Sequence, residues 1–300
     1  MSQANFTLLD ARGVLEIAGD DRHQFLQGLI SNDTRKLTPS RALYAAFLTP
    51  QGKYLHDFFL MELGASILLE GERARLGDLL RRLSIYKLRA KVTLADASER
   101  FIAAAAFGAE ALARLGLSSE PGTATPFAGG IAYVDPRLAR LGARLLLPVA
   151  GGGIAPLEAL GFTRTEAAAY DRLRLLAGVP DGSRDLPVEK AILLEAGFDE
   201  LNGVDWDKGC YIGQELTART KYRALIKKRL LPVRVEGPLP EPGTPIMLGE
   251  HEAGEIRSGN GDVALALLRL EALEEAANTG AMLTAGSARL VAIKPDWAKF

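Results

Sequence analysis

The sequence predicts an α+β fold with antiparallel sheets over residues 1–225 and a small antiparallel β-barrel over residues 226–300. Three observations carry this. Between residues 42 and 148, short apolar runs bounded by turn residues alternate with an amphipathic helical stretch, the pattern of helices packed on an antiparallel sheet. From Lys227 onward, short strand candidates are separated mostly by Gly and Pro clusters, the spacing of a barrel. The chain of 300 residues is 48% hydrophobic, enough for a sizeable core, and its length suits about one to three structural units. The larger region can itself divide, residues 1–45 joining 150–225 and residues 46–149 forming the remainder.

Taken in order, Phe6–Leu9 and Val14–Ile17 read as strands. Asp20 or Asp21 then caps a helix that buries Phe25, Leu26, Leu29 and Ile30, and Ser31-Asn32-Asp33-Thr34 ends it in a polar turn. Ala42–Thr49 and Tyr54–Met61 form a hairpin around Pro50-Gln51-Gly52-Lys53. Asp57 lies inside its second strand. It either points to solvent, the default for a strand with one wet face, or lines a pocket. Ser66–Leu69 is a further strand. Glu72–Lys87 is an amphipathic helix through Leu76, Leu79, Leu80 and Leu83. Lys91–Ala95 and Phe101–Phe107 are strands, Ala109–Leu115 a short helix, and Ile131–Val134 and Ala143–Pro148 strands again. Gly151-Gly152-Gly153 reads as a connector, because no Lys-Ser or Lys-Thr follows to make a phosphate cradle. Thr163 caps a helix running to Ala177, with Glu166 three residues on, and Gly178-Val179-Pro180 stops it. Residues 181–207 are irregular and acidic. The barrel strands are Lys227–Val235, Thr244–Leu248, Glu252–Ser258, Val263–Leu268 and Ala288–Ile293.

The net charge of −1, with both signs mixed along the chain, argues against a general nucleic-acid binder. No apolar run is long enough to span a bilayer. The opening MSQANFTLLDARG lacks a basic start and an apolar signal core. One cysteine rules out an internal disulfide framework. The expectation is a cytoplasmic protein. His23, His56 and His251 show no metal-ligand spacing, so no metal site is expected from this chain alone.

The most informative stretch is Lys208–Arg219, KGCYIGQELTAR, which holds that single cysteine, Cys210. Lys208 precedes it by two residues, and Arg219 and Lys221 follow closely. Cations favour a thiolate. Gly209 and Gly213 give access to the sulfur and let the backbone approach a ligand or partner. The plain alternative is a small buried hydrophobe. Glu215 and Arg219 suit an ordinary helix-surface pair. No histidine lies near enough in sequence to suggest a cysteine hydrolase. One thiolate does not hold an iron–sulfur cluster alone. It can supply one ligand of a cluster shared with a partner, or take part in thiol exchange. The basic residues Lys221, Arg223, Lys227, Lys228 and Arg229, like Lys87, Arg89 and Lys91, form a solvated face or attract an anionic tail such as a glutamate chain.

KGCYIGQELTAR resembles the signature of the YgfZ-type folate-binding proteins of iron–sulfur cluster assembly. The longer LNGVDWDKGCYIGQELTARTKYRALIKKRLLPV is similar to the branch that includes a mitochondrial assembly factor and its bacterial relatives. FLQGLISNDT, AAFLTPQGKYLHDFFL and YKLRAKV resemble the family's early helix and loop, its hairpin and its Tyr-Lys-Leu-Arg segment, so that the likeness runs over residues 20–235. The family shares its fold with the aminomethyltransferase, or T-protein, of the glycine cleavage system. The resemblance implies sheets and helices around a central hole, a barrel behind, and tetrahydrofolate or a derivative as cofactor. It implies iron–sulfur assembly and client proteins as partners, no nucleic acid or membrane, and a monomer without classical turnover. It also implies that Cys210, activated by Lys208, stands on the rim of a folate pocket, with Asp57 near the reactive folate nitrogens. Asn32, Tyr86, Arg89, Glu195, Gly209, Tyr211, Gly213, Gln214, Glu215 and Arg219 would surround the cofactor. Asp57 keeps a second expectation open, a folate-dependent aminomethyl- or methyltransferase. One departure stands out. The T-protein helix reads Leu-Arg-Leu-Glu-Ala-Gly, its Glu gripping the pterin; here Leu173 to Gly178 places Leu176 at that position. Losing such a charged hydrogen bond costs roughly 1.5–3 kcal/mol, unless Glu189 or Glu195 substitutes.

Overall fold

The computed structural model describes residues 4–223 and 226–300. The expected domain boundary between residues 225 and 226 abuts residues 224 and 225, which lie outside the described residues, as do residues 1–3 at the start of the stretch read for a targeting signal. The chain divides into two compact units. The first comprises Met1–Leu48, Leu55–Tyr170 and Leu201–Ile212; the second comprises Thr49–Tyr54, Asp171–Glu200 and Gly213–Phe300.

The N-terminal elements are β1 (Asn5–Leu8), β2 (Arg12–Ala18), α1 (Arg22–Gln27), β3 (Leu43–Leu48), β4 (Tyr54–Leu63), β5 (Ser66–Glu72), α2 (Leu76–Lys87) and β6 (Thr93–Asp96). They are followed by β7 (Phe101–Phe107), α3 (Ala111–Arg114), β8 (Ala124–Phe127), β9 (Gly130–Val134), β10 (Ala143–Pro148), α4 (Ala155–Ala159), β11 (Thr163–Arg164) and α5 (Ala167–Leu176). These strands make two sheets, ordered β3-β4-β5-β2-β6 and β11-β1-β7-β10-β9-β8. One face of the second sheet buries Phe6, Ala104, Ala132, Leu145 and Leu147 with Leu157 and Phe162.

Other strand side chains of this unit meet in a layer that is ionic and aromatic. Glu70 of β5 is fully buried and accepts from Arg12 Nε at 3.1 Å, from the Tyr133 hydroxyl at 2.6 Å and from the Arg144 guanidinium. The guanidinium carbons of Arg12, Arg137 and Arg144 stand 5.6, 4.8 and 4.2 Å from the Phe59 ring centre. Each buried charge here has a partner, the condition under which charge is tolerated in a core.

Two local expectations are corrected. Asp21 does stand at the start of α1, but its carboxylate accepts from Lys91 N–H at 2.7 Å and not from the helix. Thr163 is no helix cap. With Arg164 it forms β11, which pairs in parallel with β1, and α5 begins at Ala167. Backbone pairing with an existing sheet edge prevails over a local capping pattern.

The remaining elements are α6 (Gln214–Tyr222), β12 (Lys228–Glu236), β13 (Pro245–Leu248), β14 (His251–Asn260), β15 (Val263–Arg269), α7 (Leu270–Thr279), β16 (Leu283–Ala285) and β17 (Ala288–Ala292). Six strands close into a barrel in the order β12-β15-β14-β13-β16-β17. Its interior holds Leu231, Val233, Ile246, Ile256, Ala266, Leu268, Leu283 and Leu290, with Leu273 and Ala276 of α7 packed against it. Neither α7 nor the three-residue β16 was expected from the sequence. Within the second unit Arg174 of α5 is buried. It donates to Asp185 Oδ2 at 2.6 Å and to Ser258 Oγ at 2.7 Å, and Ser258 Oγ donates to Asp185 Oδ1 at 2.6 Å. Ser258 lies where β14 breaks register against β15.

Candidate functional site: an interlocked double loop that displays Cys210

Two polar segments of the first unit, residues 28–36 and 202–212, hold each other by side-chain and backbone bonds. Ser31 Oγ donates to Gly203 O at 2.6 Å, and Asp205 N–H donates back to Ser31 O at 3.0 Å. Asn32 Nδ2 donates to Tyr44 O at 2.7 Å and to Asn202 O at 2.8 Å, while its Oδ1 accepts Asp33 N–H. Lys36 pairs with Asp205. Ile212 N–H donates to Gly28 O at 3.2 Å. The SNDT turn is therefore one half of a clasp, not a plain helix end.

Lys208 closes the clasp. Its side chain is buried, and Nζ donates to the carbonyls of Gln27, Ile30 and Asn32 at 2.8, 2.6 and 2.8 Å. All three N–H groups are taken by these backbone carbonyls. The ammonium also stands 5.0 Å from the centre of the buried Tyr211 ring. Burial pushes Lys208 down to about 8, with Asp33 and Asp205 pulling the other way. Asp33 is held down to about 2, first by its hydrogen bond with Arg35.

On this clasp Cys210 is exposed, so the alternative of a buried hydrophobe does not hold. Gly209 beside it is also exposed, and a Cβ built there would meet nothing within 4 Å. The next glycine differs. Gly213 has φ +82° at the start of α6, a conformation that disfavours side chains. Its carbonyl lies 2.8 Å from where a Cβ on Gly52 would be, so the hairpin turn packs directly on the first turn of α6.

Asp57 is buried, which corrects the default of solvent exposure. Its Oδ2 accepts the Tyr44 hydroxyl at 2.9 Å. Burial, then the Asp57 charge, pushes the Tyr44 phenol well above its ordinary value. A chain of bonds thus runs from Asp57 through Tyr44 and Asn32 to the loop before Cys210. Beside it lies a cavity of about 530 Å³ lined by Asn32, Lys36, Arg41, Tyr44, Asn202 and Trp206.

The other expected site residues are spread over both units. Tyr86 and Arg89 are exposed at the C-terminal end of α2 and just beyond it, the Tyr86 ring meeting Phe47 edge-on at 6.1 Å. Gln214, Glu215 and Arg219 are on α6 in the second unit, where Glu215 and Arg219 form a surface pair at 2.9 Å. Glu195 is also in the second unit, its carboxyl pushed up by burial. Ser31, Lys36, Asn202 and Asp205, which build the clasp, were not singled out from sequence. Their only signal was a cluster of turn-forming side chains.

The two sheets with a closed six-stranded barrel define a class, the glycine-cleavage aminomethyltransferase-like fold. The crystal structure of aminomethyltransferase T from Bartonella henselae superposes with a TM-score of 0.79, covering 99% of this chain and 87% of that one at 16% identity. Residues 227–300 match the family model described as the CAF17 C-terminal beta-barrel domain. Sequence similarity is closer to another group. The mitochondrial iron-sulfur cluster assembly factor IBA57 of Mus musculus is 38% identical over 314 residues, covering 96% of this chain and 84% of the mouse protein. The Homo sapiens protein is likewise 38% identical, over 308 residues, with the same coverage. The chain belongs to the IBA57 family of iron–sulfur cluster assembly factors. The expectation of a cytoplasmic protein is overturned by these relatives, which are named as mitochondrial.

Proposed function

We propose that this chain is an accessory factor for assembly or repair of iron–sulfur clusters in client enzymes, and that it acts through Cys210. The observation that carries the reading is an exposed thiol displayed on a loop clamped by Lys208. A rigid mount lowers the ordering cost of offering the sulfur to a partner. One thiolate supplies at most one of the four ligands a cluster normally needs. The remaining ligands come from an assembly or client protein, and the cluster is cargo. The KGCYIGQE motif supports placement in the YgfZ-type group, with the chain working as a monomer. In cells lacking the factor, Cys210→Ala should fail to restore iron–sulfur enzyme activity while folding normally. Full restoration would remove the thiol from the mechanism.

A reduced folate is the ligand we assign to the first unit. The support is a buried Asp57 carboxylate, a Tyr44 hydroxyl bonded to it, and an adjoining cavity within the size range of small-molecule sites. Asn32 does not serve as a ligand in this reading, since both its amide hydrogens are already donated. Folate positions or reports on the client rather than turning over. A titration with tetrahydrofolate tests binding, and Asp57→Asn tests the carboxylate. Turnover of an aminomethyl donor that Asp57→Asn abolishes would instead mark a transferase.

A further inference from the structure

We propose that the second unit carries a separate binding site for small amphipathic monocarboxylates, in a trough between the outer face of the barrel and the segment Asp185–Ala196. The cavity measures about 460 Å³. Its barrel wall follows from strand alternation. Leu231, Ile256, Ala266 and Leu268 point into the barrel core, so Leu230, Glu255, Arg257 and Leu267 point outward. The pairing sets Leu267 opposite both Leu230 and Glu255, so an apolar pair lies at the centre of the trough. Lys228 comes two residues before Leu230, and Arg257 two residues after Glu255. They therefore flank that row on opposite sides, about 13 Å apart along the strand direction at the usual rise per residue. Leu186 and Ile192 supply apolar surface from the other wall.

The charges decide the ligand's sign. Asp185 is engaged by Arg174 and Ser258, and Glu255 by Arg257. Among the described residues no hydrogen bond or ion pair engages the side chains of Lys190, Lys228 or Glu195, all of which line the trough. Two ammonium groups face one carboxylate there, a surplus of one positive charge. A ligand with a single carboxylate balances it, its oxygens meeting Lys190 and Lys228 and its body lying over Leu230 and Leu267. Charge-assisted contacts at one end with an apolar floor beyond are the usual division of labour in a small-molecule site. An eight-carbon acid, about 10 Å when extended at ordinary bond lengths, is shorter than the roughly 13 Å separating Lys228 from Arg257 along the strands. Glu195, half-buried with its carboxyl pushed up by burial, lines the same trough.

The test is a calorimetric or NMR titration of the full chain with octanoate, 1-octanol, octylamine and acetate. Octanoate should bind at least tenfold more tightly than each of the others. In the Lys190→Gln/Lys228→Gln double variant that margin should vanish while the melting temperature stays unchanged, because neither side chain holds the fold together. Octanoate binding no tighter than octanol, or undiminished in the double variant, would overturn the proposal. So would the absence of any octanoate binding.

Discussion

At Lys208 three backbone carbonyls converge on one ammonium. Replacing it by Met leaves those acceptors without a partner in a buried place. Each such loss costs about 1–3 kcal/mol, partly offset because burying an ammonium is itself unfavourable. Lys208→Met should therefore lower the unfolding free energy by about 2–4 kcal/mol in urea titration. Cys210→Ala, at an exposed position, should change it by less than about 0.5 kcal/mol. This contrast separates the mount from the group it carries. Sequence made Cys210 and its neighbours visible because Gly-Cys-Tyr-Ile-Gly is an unusual run. It did not show that Lys208 anchors the loop, because proximity along the chain said nothing about where a long side chain turns. For Asp57 the sequence left solvent and pocket both open for a related reason: a carboxylate within a strand shows its face only once the sheet's partner across the core is known.

Among the elements, α6 begins on Gly213 in a left-handed conformation with the hairpin turn pressed against it. Gly213→Ala should destabilise the second unit by about 1–2 kcal/mol, measured by thermal melting, because the strain of that φ is added to a helix start. α5 offers a test of opposite sense. Leu176 is half exposed at the end of this helix, so a charged replacement there is solvated. Leu176→Glu should leave the melting temperature unchanged within about 1 °C, measured by thermal melting. Strongly periodic elements, such as α2 and the strands β7 and β10, were legible from spacing alone. The two-residue β11 was not, since its strand character comes from pairing with β1 and from nothing in Thr163-Arg164 itself. The helix α7 was hidden among strand candidates that draw the eye in a Gly- and Pro-punctuated region.

For the molecule as a whole, the ionic layer of the first unit sets a pH limit. Burial alone would raise the Glu70 carboxyl; Arg144, Arg12 and the Tyr133 hydroxyl hold it down to about 2, against an ordinary 4.5. The folded value lies below the unfolded one. The associated stability is therefore complete above about pH 4.5 and is lost as pH falls towards 2. Glu70→Gln should cost about 3–5 kcal/mol at pH 7, because three polar partners lose a buried charge. It should also flatten the acid limb of the stability curve. We further propose that residues 226–300 form an autonomous domain, since the barrel closes on itself around its own core. A fragment of that span should melt cooperatively with a β-type circular dichroism spectrum. The fold class was readable from the alternation of patterns, whereas the ionic layer was not: Arg12, Glu70 and Arg144 are 58 and 74 residues apart and share no sequence sign of meeting.

The single cysteine is at the surface, and the chain has no second one to pair with. Oxidation can therefore join only two different molecules. Handled in air, the protein should collect as a covalent pair on a non-reducing gel and return to single chains with dithiothreitol. The same solitary thiol is a ready-made attachment point, where a maleimide dye would sit at one known position and report the arrival of a partner.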